Sequence, residues 1–198
     1  MKRAYRTDTF TDVITTSNSD AIDLDNVKSL SIQCVVDVDV PAAVVVAAGS
    51  VDTTDDEFAS TAHDYTTGLK VQVSTSNTIP TGLSLVTDYF VIVTDADNFK
   101  FATSLANAQA GTAVNITTQG VGNHTVTPQA LAGASVVMQM SNENSPTNWS
   151  DISALTSITA DGNVWFESID PTGRWARASY SITSGRLSAT NTVLIKKE

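Results

Sequence analysis

Of the 198 residues, 49 are Ser or Thr and 22 are Val, a bias that holds the chain to extended backbone almost throughout. Val and Thr lose side-chain freedom in a helix and pack well on a pleated surface, while Ser offers helical backbone a competing hydrogen bond. Apolar runs bounded by Gly, Asn, Asp or Pro predict ten strands, over 30–40, 70–74, 89–94, 99–102, 114–117, 124–127, 135–141, 164–168, 175–183 and 192–196. Asp95-Ala96-Asp97-Asn98 reads as a turn between two of them, Asp161-Gly162-Asn163 as a turn before another, and Ser184-Gly185 as the close of the last hairpin. Only Ser104 to Ala110, stopped by Gly111, predicts a short helix. Many strands with so little helix define an all-β chain of sandwiches or barrels.

Composition narrows the function classes. The chain is 41% hydrophobic and 16% charged, which is globular rather than disordered. Its net charge of −10 comes without a basic stripe, which argues against direct nucleic-acid binding. The amino terminus, Met1-Lys2-Arg3-Ala4-Tyr5-Arg6, is basic but is followed by polar residues rather than an apolar stretch, so no signal peptide is expected. The longest aliphatic run, Val40 to Ala48, is about half a bilayer span, and no membrane segment is expected.

Chemistry-bearing residues are sparse. Cys34, alone in its type, lies in an apolar run and reads as a buried core thiol. His63 and His124 read as hydrogen-bonding structural residues, with a ligand or catalytic role the lesser alternative. The acidic runs Asp52 to Glu57 and Asp95 to Asn98 lack the spacing of a calcium loop and read as solvated turns. Asp37 and Asp39 share one strand face, and general acid and base work by them requires a cleft. The expected catalytic, cofactor and metal sites are therefore none. Sequons at Asn115, Asn123 and Asn148 are expected by chance in a Thr-rich chain. Trp149 is expected to plug one end of a sandwich. Period two places Trp175, Arg177 and Ser179 on one face and Ala176, Ala178 and Tyr180 on the other. The first face is either a glycan platform or a core or intersubunit contact.

Charge and Pro-containing joints divide the chain. Residues 44–128 hold eight acidic and two basic residues, and Val40-Pro41-Ala42-Ala43 and Pro128-Gln129-Ala130-Leu131 flank them. A discontinuous domain of 1–43 and 129–198 with an inserted domain of 44–128 is expected.

The insert carries a resemblance. Asp56-Glu57-Phe58-Ala59-Ser60-Thr61-Ala62-His63, Thr67-Gly68-Leu69-Lys70-Val71, Ile79-Pro80-Thr81-Gly82-Leu83, Asp97-Asn98-Phe99-Lys100-Phe101-Ala102 and Gly120-Val121-Gly122-Asn123-His124 follow in order the pattern of a small β-domain of tailed-bacteriophage virion proteins. In that pattern His63 closes a strand and His124 opens one. The outer domain, through Ser135-Val136-Val137-Met138-Gln139-Met140, Asn148-Trp149-Ser150-Asp151 and Arg174-Trp175-Ala176-Arg177-Ala178-Ser179-Tyr180, is similar to jelly-roll or discoidin-like sandwiches of phage head and tail accessory proteins. The resemblance implies a jelly-roll-like β-sandwich interrupted by a small Ig-like β-sandwich or barrel. It implies a non-enzymatic virion protein, assembled in the host cytoplasm, that decorates or cements the capsid. Its partners would be the major capsid protein and further copies of itself, trimers being common among decoration proteins of this kind. The basic segment Met1 to Arg6 reads by its charge either as an arm lying against an acidic shell or as a frayed terminus. The alternative it leaves open is a tail-associated or portal-vertex accessory that binds a receptor or glycan.

Overall fold

The computed structural model describes residues 3–14, 17–25, 27–143, 147–169 and 173–197. Strand takes up 51% and helix 5%, the all-β class that the β-branched composition dictates. The chain forms two compact units, Met1–Asp39 with Leu131–Glu198, and Val40–Ala130.

The discontinuous unit begins with β1 (Arg3–Val13), β2 (Ser17–Asn18), β3 (Ile22–Asp23) and β4 (Val27–Val38). The insert supplies β5 (Val44–Ala47), β6 (Val51–Asp52), β7 (Glu57–Ala59), β8 (Lys70–Thr75), β9 (Asp88–Val93), β10 (Asn98–Ala102), helix α1 (Leu105–Gln109) and β11 (Asn123–Pro128). The first unit resumes with β12 (Ala134–Ser141), β13 (Ser150–Asp151), β14 (Thr156–Ile158), β15 (Gly162–Ile169), β16 (Trp175–Ser181) and β17 (Leu187–Lys197).

In the discontinuous unit one antiparallel sheet runs β1-β17-β4-β15 and the other β13-β12-β16-β2, with β14 on β12 and β3 on β16. Leu30, Ile32, Cys34 and Val36 of β4 alternate inward and share one core with Val136, Met138 and Met140 of β12 and Ala176, Ala178 and Tyr180 of β16, so the unit is a sandwich. Ser184-Gly185 is a corner and not the close of a hairpin, because β16 and β17 lie in different sheets. Gly185 takes φ 83 there, a conformation that glycine adopts without steric cost. The expected amino-terminal arm is strand from Arg3 onward, paired to β17; Met1 and Lys2 lie outside the described residues.

In the insert a single sheet runs β5-β11-β8-β9-β10-β7-β6. Its two edge strands are consecutive in the chain, joined by the 3-10 turn Ala48–Ser50. The sheet therefore rolls toward its own edge without closing into a barrel, and Phe58, Phe99 and Phe101 fill the interior with ring centroids 4.8 to 6.1 Å apart. On the outside α1 covers Ile92 and Ala102 with Ala108. Ser104 caps this helix by accepting from the Asn107 N–H at 3.1 Å, and Gly111 follows at φ 70. The strand expected over 114–117 is irregular instead. Its N–H groups go to three separate segments: Val114 to the Phe101 carbonyl at 2.7 Å, Ile116 to Asp56 Oδ1 at 2.6 Å and Thr117 to the Thr81 carbonyl at 3.1 Å.

Candidate functional site

The side chains that carry chemistry in the sequence are bound up in the fold. Cys34 is buried opposite Asn191 in the β4–β17 register, and the Tyr180 hydroxyl reaches both from the facing sheet. Burial pushes the thiol up to about 11, which leaves it protonated and a poor nucleophile at neutral pH.

The two histidines occupy different places in the insert. His124, fully buried in β11, sets Nε2 2.9 Å from the Gln119 carbonyl and Nδ1 3.0 Å from the Thr75 hydroxyl. His63 stands in the turn after β7, where Nδ1 accepts the Tyr65 N–H at 2.9 Å and the ring meets Phe99 edge to face. Its neighbours Ala62 and Asp64 adopt φ 51 and 54, and the Ala62 N–H is held by Asp97 Oδ1 at 2.8 Å. Acceptance at Nδ1 fixes the tautomer that carries its proton on Nε2.

The acidic runs build turns. Asp52 Oδ1 accepts the Thr54 N–H at 2.7 Å, and Asp95 accepts the Asp97 N–H at 2.8 Å and the Asn98 amide; these hydrogen bonds hold both carboxyls below their usual range. Asp39 is engaged by Arg186 while Asp37 is exposed. Among the described residues no three His, Cys, Asp or Glu side chains converge as metal ligands, and no helix is long and apolar enough to cross a membrane.

The three tryptophans separate two outer surfaces. On the sheet of β12 and β16, Trp175, Arg177 and Ser179 are half-buried on the outer face, opposite the core positions Ala176, Ala178 and Tyr180. Trp149 does not plug the sandwich; it lies half-buried with the Arg177 guanidinium 4.2 Å above its ring. Arg177 Nε donates to Gln139 Oε1 at 2.8 Å and Gln139 Nε2 to Asp151 Oδ1 at 2.9 Å, so the polar side chains of this face are engaged with one another. On the other sheet Trp165 is 56% exposed and Val35, one strand across, 41%. The signal for Trp165 was in the sequence: Val164 and Phe166 on either side of it turn toward the core, which sends the indole outward.

Neither protein-family models nor curated proteins give a match to this chain.

Proposed function

We propose that the protein is a non-enzymatic structural component of a tailed-bacteriophage virion, a capsid decoration or cement protein that binds the major capsid protein and assembles with copies of itself. The resemblance of residues 56–126 to the phage β-module motivates the reading. The observation that carries it is the use of the potentially reactive side chains as fasteners: Cys34 and Tyr180 in the sandwich core, His124 between β8 and β11, and the Asp52 and Asp95 carboxylates in turns. Such a chain presents sheet faces, and many copies binding weakly across capsomer joints would add stability multivalently. A net charge of −10 keeps the subunit soluble before assembly.

Copy number per purified particle, measured by quantitative mass spectrometry against the major capsid protein, tests the reading. Hundreds of copies support a place on the capsid lattice. A dozen or fewer copies, or absence from the particle, overturn the cement role.

A further inference from the structure

The outer face of the β1-β17-β4-β15 sheet is tiled in cross-strand rows. Trp165 lies opposite Gln33 and Gln33 opposite Thr192; one step along, Asn163 lies opposite Val35 and Val35 opposite Thr190. Directly opposed residues of an antiparallel pair share a face, so these six form one surface across three strands. Gln33 Nε2 donates to Asn163 Oδ1 at 3.2 Å, which turns the two amides toward each other beside the exposed indole. The pair retains an acceptor on Gln33 and a donor on Asn163. The six residues carry no charge in a chain of net −10.

We propose that this face binds an uncharged glycan. An indole offers an apolar plate for the C–H face of a pyranose and amides offer paired donors and acceptors for neighbouring hydroxyls, with the Thr190 and Thr192 hydroxyls extending the track. Neutrality of the tile suits a neutral polyol; an anionic glycan would meet the repulsion of the acidic chain. The surface is distinct from the Trp175 face, and the inference does not depend on whether the protein belongs to a virion.

The test uses the intact protein with cellohexaose, maltohexaose, mannohexaose and a linear galactohexaose as probes. Two-dimensional NMR follows the Gln33 and Asn163 side-chain amides and the three indole N–H signals, and sedimentation velocity is run on the same samples. The expected result is a saturable shift of the Trp165, Gln33 and Asn163 signals with at least one hexasaccharide. Trp165→Ala should weaken it tenfold or more and Gln33→Ala several-fold, with Trp175→Phe unchanged. Absence of shifts with all four sugars overturns the proposal, as do shifts confined to the Trp149 and Trp175 indoles. A wild-type oligomer that Trp165→Ala converts to monomer also overturns it, since the face would then be a contact between copies. The wild-type shifts decide the matter even if a variant misfolds.

Discussion

Arg186 clasps Asp39 at the point where the chain leaves the discontinuous unit for the insert. Arg186 Nε donates to the Asp39 carbonyl at 2.8 Å, Nη2 lies 2.9 Å from the carboxylate, and the Asp39 N–H returns a bond to the Arg186 carbonyl at 3.2 Å. The re-entry is tied to the same corner: Ala132 N–H donates to the Ser184 carbonyl at 3.1 Å, and Thr183 and Ser184 N–H groups reach the Ala132 carbonyl at 3.0 and 3.2 Å. One corner, 183–186, therefore holds both ends of the interruption. Within the insert β5 and β11, its first and last strands, pair directly, and the Tyr65 hydroxyl is 3.0 Å from the Val126 carbonyl. Adjacent ends on both units are what allow one β-domain to be carried inside another.

Arg186→Ala should lower the stability of the discontinuous unit by about 1–3 kcal/mol, because the side chain is 3% exposed and its removal strands the Asp39 carbonyl. Arg186→Lys should recover only part, since a point ammonium cannot reproduce the guanidinium fork. Urea unfolding of the three proteins measures both.

Tyr180→Phe leaves the Asn191 carboxamide oxygen buried without its donor and should cost about 1–3 kcal/mol. A Tyr180→Phe, Asn191→Leu double variant removes both polar partners and should be more stable than the single change. A double variant with the summed loss of the two single changes would show that the pair is not coupled.

His124→Ala should destabilise the insert by about 2–4 kcal/mol through a cavity and the loss of its links to Thr75 and Gln119. The sandwich has its own core, so calorimetry should show one transition move and the other stay.

Stability should fall at both pH extremes for opposite reasons. Burial raises Cys34 to about 11 and Tyr65 to about 12 and pushes Tyr180 higher still. The unfolded chain ionises first, so the stability these groups contribute is complete below the ordinary thiol value of 9.0 and is lost as pH rises toward 11 and 12. Glu143 goes the other way, lowered to about 2 by hydrogen bonds from Thr147 and Asn148. Its contribution is complete above the ordinary 4.5 and is lost as pH falls toward 2. Thermal melts from pH 2 to 12 check both limbs: Glu143→Gln should make the acid limb shallower, the lowered Asp52 and Asp95 carboxyls keeping the rest of it, and should leave the alkaline limb unchanged.

Legibility of the fold followed the strength of local alternation. β4 was readable because Leu30, Ile32, Cys34 and Val36 alternate with polar residues, and α1 because Ser104 and Gly111 bracket it. Strand β1 was not: Arg3–Val13 interleaves Thr, Asp and Arg, and only the register with β17 makes it a strand. Val114 to Thr117 looked like a strand by composition, yet the N–H groups of Val114, Ile116 and Thr117 donate to Phe101, Asp56 and Thr81 in place of a ladder. Division of β16 and β17 between sheets was equally hidden, since Ser184-Gly185 serves a hairpin and a corner alike. Of the outer surfaces, the split of Trp175 from Tyr180 was legible from period two. Cover on the Trp175 face was not, because Trp149 and Gln139 arrive from distant positions.

A β-domain carried inside a complete β-sandwich should survive separation from it: residues 40–130 are excised, Asp39 is joined to Leu131 through two glycines, and the methyl NMR spectrum of each piece is recorded. Leu30, Met138 and Val193 should keep their shifts in the joined sandwich, and Val71, Val91 and Val126 theirs in the isolated insert. Collapse of either set to unfolded shifts would contradict it.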